Sequence, residues 1–170
     1  MEKVMQSRKY TMVINNPLEA GFDHDTIIEK LHKCAPRYFC LADEIATTGT
    51  PHTHIFLYAR SPIRFPTVKH RFPTAHIEKS YGSARDNREY ILKGGKWADT
   101  DKAETIVPGS FYEWGDVPAE KEEQSPEKYQ LIQGIRDGMS DSEIIEEFPN
   151  MVFHIRDFSV IRQTFLAEKY

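Results

Sequence analysis

Two runs rich in β-branched and aromatic residues, Arg37 to Ala46 and His52 to Ala59, are separated only by Thr47-Thr48-Gly49-Thr50-Pro51. A link that short, holding a glycine and a proline, has no room for the dozen or more residues of a crossover helix. The two runs therefore form a hairpin, and the sheet that contains them is antiparallel at its centre. Around it, Lys9 to Ile14 (KYTMVI) reads as a strand closed by Asn15-Asn16-Pro17. Asp25 to His32 places Ile27, Ile28 and Leu31 at helical spacing, with Asp23 or Asp25 as the cap. A short helix over Phe65–Arg71 leads into a strand over Thr74–Lys79, and Gly82-Ser83 opens a helix over Ala84–Lys93. Beyond Gly94-Gly95 the pattern weakens, with short strands near Ile106 and Phe111. The order β-α-β-β-α-β-α predicts an α+β fold of ferredoxin-like type, an antiparallel central sheet with flanking helices. The expectation is that the helices lie on one sheet face and leave the other open for a site.

The pattern changes character at Pro118. Residues 119–170 open with the charged stretch AEKEEQSPEK and continue as helical segments over Pro126–Asp137, Asp141–Phe148 and Met151–Glu168. Ser125-Pro126 and Ser140-x-x-Glu143 are helix-start signatures, and Met151, Ile155, Phe158, Ile161 and Phe165 form one apolar stripe. The chain thus divides into a domain over 1–118 and an acidic linker and helical segment over 119–170. Charge follows the same division: 16 Lys and Arg against 15 Asp and Glu in the first part, 6 against 11 in the second. Within the first part, Arg60 to Lys96 carries nine basic residues against three acidic ones, a local zone suited to phosphates despite the net charge of -4. Cys34 and Cys40 are too few for a disulfide framework or a four-thiolate zinc site, so both are expected to pack as reduced thiols. No run reaches the roughly 18 apolar residues of a membrane helix, and the start MEKVMQSRKY has no apolar signal core. A soluble, intracellular chain is expected.

His52-Thr53-His54 lies inside a predicted strand, where the period of two sends both imidazoles to one face and Thr53 to the other. Glu44 stands on the partner strand and, if the hairpin closes normally, reaches the same place; Asp43 points the opposite way. Two imidazoles and a carboxylate with open positions suit Mn²⁺ or Mg²⁺ acting as a Lewis acid, not a closed structural zinc. Tyr90 and Lys93, three apart on a predicted helix, share a face. A tyrosine near a metal-bound phosphate can serve as a nucleophile, because nearby positive charge favours its phenolate. Tyr81 and Tyr112 are the competing tyrosines, without a lysine three residues on. No phosphate-binding G-x-x-x-x-G-K-[ST] string occurs.

In this order the pieces resemble a known family. Tyr10-Thr11-Met12-Val13-Ile14-Asn15-Asn16-Pro17, Gly49-Thr50-Pro51-His52-Thr53-His54 and Asn87-Arg88-Glu89-Tyr90-Ile91-Leu92-Lys93-Gly94-Gly95 are similar to the three motifs of the HUH endonuclease domain of rolling-circle replication initiators (Rep) from circular single-stranded DNA viruses and related plasmids. His76-Ile77-Glu78-Lys79 and Gly109-Ser110-Phe111-Tyr112-Glu113-Trp114-Gly115 are similar to flanking segments of circovirus-like Reps. The resemblance spans about residues 8–118. It departs from the usual pattern at Thr53, where a hydrophobic residue is common, and in TMVINN, where an FTLNN-like string is common.

The resemblance implies an HUH nuclease fold. It implies that His52, His54 and Glu44 bind the metal, that Tyr90 attacks a phosphate of single-stranded DNA, and that Lys93 positions or neutralises that phosphate. The product would be a 5′-phosphotyrosine and a free 3′-OH, reversible by transesterification without ATP. Candidates to bind the strand of an origin stem-loop are Arg8, Lys9, Tyr10, Asn15, Asn16, Arg71, Phe72, His76 and Lys79. The chain would be a nuclease-containing piece of a longer protein, its helical tail meeting a helicase domain or sister subunits in a homo-oligomer. It would act in the cytoplasm if bacterial or plasmid-encoded, and in the host nucleus if from a eukaryotic virus. The competing reading is a non-catalytic ferredoxin-like module that binds single-stranded DNA or RNA. A two-histidine phosphoesterase lacks its second His-x-Ser/Thr motif here, and a transposase or relaxase fits Asn15-Asn16 and Gly49-Thr50-Pro51 less well.

Overall fold

A computed structural model describes residues 3–95, 98, 105–119 and 126–168. Lys96 of the basic zone, Ser125 and most of the charged stretch after Ala119 lie outside them. The chain forms two compact units, Met1–Pro118 and Ala119–Tyr170. Among the described residues, no helix is long and apolar enough to cross a membrane.

The first unit is built on β1 (Gln6–Asn15), α1 (His24–His32), β2 (Pro36–Ile45), β3 (Pro51–Arg64), α2 (Phe65–Arg71), β4 (His76–Lys79), α3 (Ala84–Leu92) and β5 (Tyr112–Gly115). The sheet order is β4-β1-β3-β2-β5 with every pair antiparallel, the arrangement of a ferredoxin-like core extended by one edge strand. The hairpin closes in the expected register, with Glu44 opposite His52 and Asp43 opposite Thr53.

Both strands of the hairpin are apolar on each face, as strands covered on both sides must be. On one face Tyr10, Met12 and Ile14 of β1, Phe39 and Leu41 of β2, and Ile55 and Leu57 of β3 pack with Ile27 and Leu31 of α1 and Val68 of α2. On the other, Tyr38, Cys40, Ala42, Phe56 and Tyr58 pack with Ala84 and Ile91 of α3. Helices therefore lie on both faces. The expectation of a wholly free second face fails because α3, entering after β4, returns over β2 and β3. What it leaves is the β4–β1 half of that face, with Asn15, His76 and Glu78 exposed.

Some boundaries differ from the sequence pattern. The third strand runs on to Arg64 past Ser61-Pro62 because the extra residues bulge out of β3: Arg8 alone separates Ser7 from Lys9 where four residues separate Tyr58 from Ile63, and pairing resumes with Gln6 and Ser7 opposite Arg64 and Ile63. The weak pattern near Ile106 is a single bridge to Glu44. Both cysteines are free and buried, and burial pushes the Cys40 thiol up to about 12, which leaves it inert.

The second unit contains α4 (Pro126–Arg136), α5 (Asp141–Glu147), a 3₁₀ turn over Pro149–His154 and α6 (Ile155–Ala167). Ser140 and Glu143 form the reciprocal capping box that their spacing predicts. The apolar stripe closes the unit's own core, where Phe158 is buried with Leu131, Ile135, Ile144 and Phe148, and Met151, Ile155, Ile161 and Phe165 pack around it. The stripe thus contributes to this unit's own core. Its first turn, Pro149–His154, is 3₁₀ and not α.

Candidate metal centre and nucleophile

The hairpin delivers three donors to one spot. His52 and His54 emerge from β3 on the α3 face, and Glu44 emerges beside them from β2. The Oε2 atom of Glu44 lies 3.0 Å from His52 Nε2 and 2.9 Å from His54 Nε2. Ligand atoms of all three lie within 4.8 Å of one another, close enough to share one ion. The far nitrogen of His52, Nδ1, is 3.3 Å from the Thr50 carbonyl, which only accepts, so Nδ1 carries the proton. In the neutral ring that leaves the Nε2 lone pair aimed at a carboxylate oxygen. Such convergence of lone pairs and negative charge fits a divalent cation. Burial alone would push the Glu44 carboxyl up, but the His54 hydrogen bond and the Lys93 ammonium outweigh it and hold the group at about 2.

The third helix supplies the other half. Ser83 caps it through the Asp86 N–H, and Ala84 and Ile91 bury its inner face. The Tyr90 ring sits edge-on to His54, with centroids 5.9 Å apart at 83°. The helix ends at Leu92, one residue earlier than the spacing predicts, and Lys93 takes the left-handed conformation (φ 56°) usually given to glycine. Lys93 thus does not share a helix face with Tyr90 by a three-residue step. Its buried ammonium lies 3.8 Å from the Tyr90 ring centroid and pairs directly with Glu44 Oε1. Burial first, and then the Glu44 charge, raise the Tyr90 phenol above its ordinary value, so it is protonated at neutral pH.

The other sequence candidates divide. Asn15 stands opposite His52 at the rim of the site, and Asn16, at φ 46°, ties its N–H to the Pro51 carbonyl. His76 pairs in register with Val13, itself opposite His54, and so lies on the same open half-face. Lys9 marks the far end of that half-face, whereas Lys79, paired with the buried Tyr10, belongs to the opposite face at the same edge; Arg8 is half-buried opposite the bulge in β3. Tyr10 and Phe72 require correction. Both are fully buried in the core on the opposite face, Tyr10 donating to the Ile63 carbonyl at 2.6 Å, and neither can meet a strand of DNA. Arg71 donates to the Lys33 carbonyl at 2.6 Å and fastens α2 to the end of α1.

Two networks escaped the sequence reading. Thr53 Oγ1 donates to Asp43 Oδ1 at 2.7 Å, and His24 Nε2 lies 2.9 Å from Asp43 Oδ2, bracing the hairpin behind the metal ligands. Arg88 grips Glu113 through two hydrogen bonds of 2.6 and 2.9 Å, and Tyr38 donates to the same carboxylate at 2.7 Å, which ties α3 to β5. The polar residues inside otherwise apolar strands were the available signal for the first.

Comparison with known proteins decides the family. The model described as "Putative viral replication protein" matches residues 7–94, a segment that holds the hairpin, Tyr90 and Lys93. This chain belongs to that family of viral replication proteins. The chain is 30% identical over 91 residues to the replication-associated protein of pigeon circovirus, covering 52% of this chain and 27% of that relative. It is 34% identical over 92 residues to the replication-associated protein of human associated cyclovirus 1, covering 53% and 32%. A match of 32% identity over 88 residues links it to Para-Rep C2 of Subterranean clover stunt C2 alphasatellite, covering 51% and 31%. The shared segment is about three-tenths of these relatives' length.

Proposed function

We propose that this chain is a metal-dependent endonuclease and strand-transfer enzyme that nicks single-stranded DNA at an origin stem-loop, starts rolling-circle replication and rejoins the ends. One observation carries the reading: a tyrosine ring packs directly against a metal-type cluster of two histidines and a glutamate. Glu44, His52 and His54 would hold Mn²⁺ or Mg²⁺, which when bound supplies positive charge against the phosphate oxygens. Tyr90 Oη attacks the phosphorus; the Oη–P bond forms as the P–O3′ bond breaks, the phenol gives up its proton and the departing O3′ takes one up. A 5′-phosphotyrosine and a 3′-OH result. Because one phosphodiester replaces another, the 3′-OH of a second strand reverses the step without ATP. Lys93 holds the charge of Glu44 in balance beside the phenol and offers an ammonium near the incoming phosphate.

The test is incubation of wild type and Tyr90→Phe with a pool of stem-loop single strands, in Mn²⁺ or EDTA, followed by denaturing gels. A covalent adduct that needs the metal and vanishes in Tyr90→Phe is expected. Tight binding without an adduct anywhere in the pool would favour the non-catalytic binding module instead.

A further inference from the structure

The uncovered half of the α3 face forms a shelf that starts at the candidate metal centre. Along β1, Asn15 lies opposite His52, Val13 opposite His54, and Lys9 opposite Tyr58, so the shelf runs about 20 Å from site to far end. At that far end the chain leaves β4 and passes through residues 80–83 into α3. This link is held from several sides. The Ser80 N–H donates to the Lys9 carbonyl at 3.0 Å, the Lys9 ammonium donates to the Gly82 carbonyl at 2.8 Å, and Asn87 Nδ2 donates to the Ser83 carbonyl at 2.9 Å. A Cβ at Gly82 would come within 3.2 Å of that Asn87 nitrogen, so the link is also tightly packed.

From this fixed link projects Tyr81, 85% exposed, the barest aromatic of the first unit among the described residues. Its ring is not adrift: the Lys79 ammonium sits 5.5 Å from the ring centroid. A rigidly mounted bare ring with one ammonium over it and a second on the adjoining residue is the combination that single-strand binding surfaces use. The ring stacks on a base of any sequence, and the cations meet the phosphates on either side. We infer that Tyr81 is a nucleobase-stacking platform, with Lys79 and Lys9 as its phosphate contacts, which holds the single strand a few nucleotides from the phosphate delivered to Tyr90. The inference rests on the proposed function for its ligand, single-stranded DNA, and not on the chemistry at Tyr90. Because stacking ignores base identity, the platform sets the length of strand required and not its sequence.

The experiment uses the full chain with fluorescein-labelled oligothymidylates of about 4, 8 and 12 nucleotides, in EDTA so that no nicking intervenes. Tyr81→Ala should weaken binding of the longest oligonucleotide between about five- and a hundredfold. Tyr81→Trp should retain affinity and show quenching of the new indole on binding, while Tyr81→Leu, apolar without a π-face, should behave as the alanine variant. The shortest oligonucleotide, seated at the site alone, should lose little. Equal affinity of Tyr81→Ala and wild type for the longest oligonucleotide would overturn the platform, as would full affinity in Tyr81→Leu. A parallel adduct assay at saturating stem-loop DNA keeps the two readings apart. Failure of wild type to form adduct overturns the nuclease reading and leaves the oligothymidylate comparison to decide the platform.

Discussion

At Glu44 one buried carboxylate faces two half-buried imidazoles on one oxygen and a buried ammonium on the other. Glu44 and Lys93 are the buried charged residues of this site, and neither is stable alone in a low-dielectric surround. Removing one partner of such a pair leaves the other charged and buried, which costs about 3–5 kcal/mol, whereas removing both together costs far less. Lys93→Met and Glu44→Gln should therefore each lower the urea midpoint markedly, and the double variant should recover most of the loss. Losses that simply add would show that the two charges do not compensate each other. Mn²⁺ affinity, read by electron paramagnetic resonance, separates the roles: Glu44→Gln should weaken it sharply, and Lys93→Met should not, because the ammonium contributes no lone pair to the ion. Loss of Mn²⁺ binding in Lys93→Met would instead mean that the lysine shapes the ligand cluster.

Between elements, α3 has to hold Tyr90 against His54, and its lateral anchor is the Arg88–Glu113–Tyr38 network. The Arg88 hydrogen bond, with help from Tyr38, lowers the Glu113 carboxyl below its usual range despite partial burial. A carboxylate whose folded value lies below its unfolded one of about 4.3 stabilises the fold fully above that value and loses the contribution as pH falls through the folded value. Glu113→Gln should thus be less stable than wild type at pH 7, by about 1 kcal/mol or less given that the pair is a third exposed, and the gap should close in the acid range. A gap that stays constant from neutral pH down to acid would show that Glu113 acts only through packing. The network also shows where sequence reading stops. The hairpin register, and with it the meeting of Glu44, His52 and His54, was legible because the period of two and a five-residue turn permit one answer. The side of the sheet taken by α3 was not, since an amphipathic helix fits either face. That ambiguity also hid Tyr10 and Phe72, aromatic residues that suit a stacking surface as well as a core until the packing is known. Lys93 was misread for a related reason: a left-handed residue ends the helix without the glycine that usually announces it.

For the whole molecule, the two units differ in charge as well as in core. Every residue proposed here for metal, phosphate or base lies in Met1–Pro118, which is nearly neutral overall with a basic central stretch, while residues 119–170 carry 11 acids against 6 bases. Each unit closes its own hydrophobic core, so the first has the means to fold without the second. A fragment of residues 1–118, checked for its fold by circular dichroism, is expected to form the Mn²⁺-dependent Tyr90 adduct with the same stem-loop pool as the full chain. It should also bind oligothymidylate at least as tightly at low salt, because loss of the acidic unit removes long-range repulsion of the phosphates. That advantage should fade above roughly 0.15 M salt, where charges more than about 8 Å from the strand are screened. If the folded fragment binds the strand but forms no adduct, residues 119–170 take part in the chemistry, and the assignment of the whole site to the first unit falls.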